Sequence, residues 1–358
     1  MDNCAITARS LSQFYKIDGD RFERVYKECL SGFSSWEQKD HAADWMLYSE
    51  NIGTRCSIDE TMLHKDLMTI LSNKDGHGKQ GSIIATVKGT KTSDVIKILM
   101  QIPEEKRLAV EEVTMDFSES MRAIVKAVFP NATIVVDVFH IVKRCTEAIE
   151  EIRLKEKRKA AKDAKKEESD YKKHQRELSK NRANYRKKHP KTYSGKKRGR
   201  KPQRLNQGFK PKKLANEETV VELLTRSRNY LASSGDKWGE TQKERARLLF
   251  ALYPNIDEVY GIVQSLRSIF QNKDLDREQA REKLHEWYRK VAGSTIREIK
   301  SARDAIKHRE EDILNFFINR STNAAAESLN AKIKGFLTQV RGVLDLPFFM
   351  YRCGNIFG

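Results

Sequence analysis

Cysteine is sparse in this chain of 358 residues: Cys4, Cys29, Cys56, Cys145 and Cys353 are scattered, with no C-x-x-C pair among them. An odd, dispersed set argues against a disulfide scaffold or a structural zinc site and for a reducing compartment. Long apolar runs are missing as well. No stretch approaches the roughly 20 residues that span a bilayer, and the opening MDNCAITARS has no basic start leading into an apolar segment. A cytoplasmic protein with no membrane partner is the expectation. Acidic residues are in deficit, 50 Asp and Glu against 68 Lys and Arg, for a net charge of +18 and a pI near 9.5. Such an excess suggests a polyanionic partner.

The excess is local. Residues 153–213 hold 26 Lys and Arg against 6 Asp and Glu, which is more than the whole chain's net charge. The segment starts as a continuation of the helix expected after His140 and dissolves into Gly, Pro and polar residues by 190–211. Few apolar residues and one dominant sign of charge predict a flexible or DNA-ordered arm. Within it KKRGRKP, residues 196–202, resembles an AT-hook. A narrow Arg-Gly-Arg centre lets two Arg side chains enter an A·T-rich minor groove, although Lys201 intrudes before Pro202. Lys196, Lys197, Arg198, Arg200 and Lys201 are the candidate DNA contacts. General phosphate contact is the main expectation for this run, with minor-groove insertion and a merely solvated charge run as the alternatives.

The organised part of the chain is read from its apolar spacing. Val110, Val113 and Met115 are strand-type positions leading to Asp116. Residues 119–129 have helical spacing, with Met121, Ile124, Val125 and Val128 on one face, and Pro130 stops the helix. Residues 132–136 form a second β-branched run. Strand, helix, strand predicts a parallel pair with a right-handed crossover, and an acid at the C-terminal edge of such a sheet sits where α/β folds place their chemistry. Asp59 lies in a comparable run, TRCSIDET at 54–61, followed by strand candidates at 67–71 and 82–87 joined by the Gly- and Asn-rich loop 73–81. The result is a mixed five-stranded sheet.

Ahead of the sheet, three short helices are expected. Asp18 or Asp20 caps one carrying Phe22, Val25, Tyr26 and Leu30, and a Ser34–Glu37 capping box starts one carrying Trp36, Trp45 and Met46. From 215 to 317 the pattern is helical, with Asn216 as the first cap, Pro254 and Asn255 between two helices, and Asp274 with Asp276 ahead of the helix through Trp287. In STNAAAESLNAKIKGF, Ser321, Thr322 and Asn323 are all good cap residues. The spacing puts Glu327, Asn330 and Lys334 on one face of the helix that follows.

SIDET, TMDF, the stretch PNATIVVDVFH and a late E-x-x-N-x-x-x-K helix, in that order, resemble the DDE transposases of bacterial insertion sequences, in their ISL-three-like group. The resemblance extends over roughly residues 18–357. It implies a ribonuclease-H-like α/β fold, a catalytic triad of Asp59, Asp116 and Glu327, and an accessory D-x-x-H element formed by Asp137 and His140, with Asn330 also accessory. It also implies Mg²⁺, or Mn²⁺ in its place, held by Asp59, Asp116 and Glu327, with double-stranded DNA at transposon ends and target as partner. Relatives usually carry an N-terminal zinc-binding or helix-turn-helix region. Neither is found here, so the chain looks like the catalytic half of a split transposase, with an upstream helix-turn-helix partner and self-association on DNA in the nucleoid.

The domain organisation then reads as an N-terminal helical segment (1–53), the first part of a ribonuclease-H-like core (54–152), the basic arm (153–213), an all-α insertion (214–318) and the C-terminal helical part of the core (319–358). Lys334 and Arg341 are further candidate DNA contacts. Asn323 is another, and equally a helix cap. Carboxylates suit the implied chemistry: phosphodiester cleavage needs an activated water and relief of charge on the leaving oxygen, and two hard cations on oxygen ligands supply both. Two other readings stand beside it, a domesticated transposase or related metal-dependent nuclease that nicks without strand transfer, and a non-catalytic DNA-binding derivative.

Overall fold

The computed structural model describes residues 1–189, 208–340 and 345–358. They fall into two compact units: 1–141 with 269–285 and 305–358, and 142–268 with 286–304. The first unit holds a six-stranded sheet in the order β1-β4-β3-β2-β5-β6. Its strands are β1 (Trp45–Leu47), β2 (Arg55–Leu63), β3 (Asp66–Asn73), β4 (Ile83–Lys88), β5 (Glu112–Met115) and β6 (Thr133–Val136). The hairpin β2–β3 closes with Leu63 opposite Asp66, and His64 takes the left-handed φ of 57° that so tight a turn requires. β2, β5 and β6 run parallel. This mixed sheet, flanked by helices and interrupted by a long helical insertion, is consistent with a ribonuclease-H-like α/β fold.

Helices α1 (Ala8–Tyr15) and α2 (Gly19–Val25) precede the sheet, and Asp18 caps α2 by accepting from the amides of Asp20 and Arg21. Between β4 and β5 lie α3 (Thr92–Leu99) and α4 (Glu104–Leu108); α5 (Glu119–Val128) makes the crossover from β5 to β6. Met121, Ile124, Val125 and Val128 of α5 are buried, as the helical spacing requires. The α6 helix (Val138–Lys188) follows β6 directly.

One N-terminal expectation is corrected. Trp45 and Met46 are in strand β1, antiparallel to β4, and Phe33–Ser35 is only a 3-10 turn. The Gln38 side-chain amide explains the switch. It donates to Leu47 O and accepts from Leu47 N, at 2.9 and 2.8 Å, satisfying backbone groups that a three-residue strand leaves open. Met46 thereby reaches the core, fully buried.

The second unit is helical. It contains α7 (Val220–Arg226), α8 (Arg228–Leu231), α9 (Glu240–Leu252), most of α10 (Pro254–Gln271) and parts of α11 (Arg277–Gly293) and α12 (Arg297–His308). Thr219, rather than Asn216, caps α7, in a capping box with Glu222. The first stretch of the basic segment continues the helix that follows His140, as its sequence led one to expect, and remains helical through Lys188. Ala, Lys, Arg and Glu are strong helix formers, and the pairs Glu151–Lys155 and Glu168–Lys172 at i,i+4 add to them. Arg153 is not an exposed charge at all. It is buried, paired with Glu150 and donating to Leu224 O. Lys196, Lys197, Arg198, Arg200, Lys201 and Arg341 lie outside the described residues. Among the described residues no helix is long and apolar enough to cross a membrane.

The chain returns to the first unit through α13 (Glu310–Leu314) and α14 (Phe316–Asn319), then α15 (Ala324–Gln339) and α16 (Leu346–Phe357). Leu329, Ile333 and Phe336 of α15 pack with Phe349, Met350 and Cys353 of α16 against Met46, Leu63, Met68, Ile70 and Ile83 of the sheet. Each such fully buried side chain contributes about 1.5–3 kcal/mol. This packing fixes α15 on one face of β2 and sets the position of everything its flank carries.

Candidate active site

Register does the first part of the work. Ile58 pairs with Met115, and Met115 with Val136, across the parallel strands β2, β5 and β6. The residue after each of these is an acid: Asp59 within β2, and Asp116 and Asp137 just past the ends of β5 and β6. Three carboxylates therefore follow one row of the sheet, at the C-terminal edge of its parallel part. Side chains in one row of parallel strands leave on the same face, here the face that carries α15.

The α15 helix meets that row with two amides. Asn330 Nδ2 donates to Asp59 Oδ2 at 2.6 Å, and Asn323 Nδ2 donates to Asp116 Oδ1 at 3.3 Å. Asn323 stands at the N-cap position but makes no capping bond; its Oδ1 instead accepts from Thr114 Oγ1 at 3.3 Å. Both asparagines are buried. Glu327 sits between them, three residues before Asn330 and four after Asn323. Its side chain is exposed and, among the described residues, has no hydrogen-bond or ion-pair partner. Lys334 follows along the same flank, also exposed.

The first turn of α6 closes the other side. Asp137 Oδ1 accepts from the Phe139 amide at 3.0 Å, which caps the helix. His140 Nδ1 lies 3.0 Å from Asp116 Oδ1 and 4.0 Å from Asp137 Oδ2. Ligand atoms of Asp116, Asp137 and His140 all lie within 4.8 Å of one another. The structure thus brings Asp59, Asp116, Asp137 and His140 to one edge, places Asn323 and Asn330 against the first two acids, and leaves Glu327 on the helix flank between those amides.

Electrostatics follow from this crowding. Burial and then the charge of Asp116 push the Asp59 carboxyl up to about 6, against partial relief from the Glu60 amide, Asn330 and His140. Burial also raises Asp137, opposed by the Phe139 amide and His140. Acids held close without a counter-charge resist ionisation, and a divalent cation would remove that strain. One further atom fits such an ion: Asn330 Oδ1 is buried and without a hydrogen-bond partner among the described residues. Oxygen donors of this kind suit Mg²⁺ or Mn²⁺.

A second polar cluster lies at the opposite end of β5 and has no signal in the sequence. Glu112, 5% exposed, pairs with Lys74 at 3.0 Å and accepts from Ser321 and Asn319. Burial alone would raise its carboxyl, but the bonds from Ser321, Asn319 and Lys74 outweigh burial and leave it lowered. The cluster anchors the residues that lead into α15. A Glu opening a strand and a Ser before a helix are too common separately to announce it.

A protein family described as a transposase, of the DDE type and ISL-three group, matches residues 56–198 and 198–353. No curated protein and no solved structure matches the chain.

Proposed function

Because this chain belongs to the ISL-three group of DDE transposases, we propose that it cuts DNA at insertion-sequence ends and joins the freed 3′ ends to target DNA, using Asp59, Asp116 and Glu327. The observation that carries the reading is the shared register row of Asp59 and Asp116, with Glu327 presented between the two amides that bind those acids. These carboxylates would hold divalent ions, Mg²⁺ or Mn²⁺, which when bound supply an activated water and neutralise charge on the leaving oxygen.

The protein's own groups prepare that site. Asn323 Nδ2 donates to Asp116 Oδ1 and His140 Nδ1 lies 3.0 Å from the same oxygen, so one oxygen of this carboxylate is held in place. Asn330 and the Glu60 amide divide the two oxygens of Asp59 between them. Asp137 serves by capping α6 and so positions His140. Lys334 extends the α15 flank with a cation suited to a DNA phosphate, and the basic run at 196–201 adds sequence-independent attraction.

The test is a purified full-length protein given DNA with labelled transposon ends and a plasmid target in Mg²⁺. Joining of the labelled 3′ strand to target supports the reading. Nicking without joining would leave a nuclease, and neither activity would leave a DNA-binding derivative.

A further inference from the structure

Asn330 is the least explained member of the site. It is 6% exposed, and only half of its amide is used. Nδ2 donates to Asp59 Oδ2 at 2.6 Å, while Oδ1 has no hydrogen-bond partner among the described residues. A buried carbonyl oxygen left unsatisfied costs about 1–3 kcal/mol, and a native structure that keeps one usually has a use for it, often a water or an ion. The orientation of the amide is not free to relieve the cost. Flipping it would face Oδ1 toward Asp59 Oδ2 at hydrogen-bond distance, acceptor against acceptor.

We propose that Asn330 Oδ1 is a neutral oxygen ligand for a divalent cation held by Asp59. The inference rests on the reading of these carboxylates as a metal site and adds a ligand to it. Charge favours a neutral donor at this place. Asp59 and Asp116 directly follow the paired Ile58 and Met115, so another carboxylate would increase repulsion in the metal-free protein, whereas an amide oxygen adds a hard ligand without charge. Helical spacing favours it too: Asn330 lies three residues beyond Glu327, so α15 offers a charged and a neutral oxygen from the same flank. The bond to Asp59 then has a purpose in the metal-free protein, holding the Asn330 amide beside the carboxylate with Oδ1 left unpaired.

The test is Mn²⁺ binding to the full chain without DNA, followed by the electron paramagnetic resonance of free Mn²⁺. Asn330→Ala removes both the oxygen and the donor; Asn330→Asp keeps an oxygen and removes the donor. The expected result is a loss of about tenfold or more in Mn²⁺ affinity for Asn330→Ala, with Asn330→Asp binding at least as tightly as the wild type. Equal weakening in both variants would assign the effect to the donor bond on Asp59 and overturn the proposal, as would unchanged affinity in both. Should Asn330→Ala fail to fold, Asn330→Asp decides alone: affinity at or above wild type supports the oxygen, and a drop overturns it. A wild-type protein that binds no Mn²⁺ overturns the metal-site reading itself, an outcome distinguishable because it does not depend on position 330.

Discussion

Asn330 donates to Asp59 at 2.6 Å across 271 residues of chain. The bond fastens the flank of α15 to the central strand of the sheet, and Asn323 does the same at Asp116, 207 residues away. Two amides, one on either side of Glu327, thereby set the helix against the acid row. The packing of Leu329, Ile333 and Phe336 also holds α15 on the sheet, and these bonds align its flank over the acids.

The crowding of the acids predicts a pH-dependent instability in the metal-free protein. With the Asp59 carboxyl raised from 3.8 to about 6, the folded state binds the proton more tightly than the unfolded state, so stability falls as pH rises from about 4 to 6. Asp59→Asn removes that titration. In EDTA the variant should melt above the wild type at pH 7, by roughly 1 kcal/mol or about 2–4 °C after allowance for partial exposure, and the gap should close near pH 4. A gap that does not change with pH would contradict the assigned cause.

Divalent ions should act in the opposite direction. Mn²⁺ binding only the folded state stabilises it, by about 2.7 kcal/mol when the free ion is at a hundred times its dissociation constant. The melting temperature of the wild type should therefore rise with added Mn²⁺ at pH 7, and that of Asp116→Asn should rise much less. Equal rises in the two proteins would place the ion elsewhere.

How much of this was legible in the sequence depends on the range of the interactions involved. The acid row was in part: Asp116 ends an apolar run with strand spacing, and the β5–α5–β6 unit forces the parallel pairing that sets it beside Asp137, whereas the pairing of β2 with β5 that brings Asp59 alongside joins segments more than 50 residues apart. Strand β1 was not: three residues are too few to show alternation, its partner β4 is about 40 residues away, and Gln38 supports it only through a side chain. The start of α6 was legible, but its length was not, because low apolar content and high charge are shared by disordered arms and by solvent-exposed helices. Asn323 lies in a run of three cap-type residues, and nothing local reveals that its side chain is committed to Asp116 and Thr114 rather than to the helix.

The Glu112 cluster should be structural. Glu112→Ala would leave Lys74, whose side chain is 12% exposed, without its carboxylate. An uncompensated buried charge costs about 3–5 kcal/mol, so the urea midpoint should drop sharply. Glu112→Gln, which keeps an acceptor for Ser321 and Lys74, should lose less. Equal losses would show that geometry and not pairing sets the effect.

DNA binding should be divisible into charge and chemistry. Replacing Lys196, Lys197, Arg198, Arg200 and Lys201 together by Gln should weaken binding to any duplex and flatten the dependence of log affinity on log salt, by about 0.9 for each phosphate no longer neutralised. Preferential weakening on A·T-rich DNA would point to minor-groove insertion by the Arg-Gly-Arg centre. An unchanged slope would mean that the run neutralises no phosphate.

The central claim is that Glu327 completes the site begun by Asp59 and Asp116, and single-turnover cleavage of pre-bound DNA in Mg²⁺ tests it most directly. Glu327→Gln keeps the size of the side chain and removes only its charge, so DNA affinity should persist while cleavage falls at least about a hundredfold, the scale on which lost transition-state electrostatics act. Asp59→Asn and Asp116→Asn should behave alike. Cleavage by Glu327→Gln at the wild-type rate, with Asp59→Asn inactive, would contradict the account and move the third ligand to Asp137.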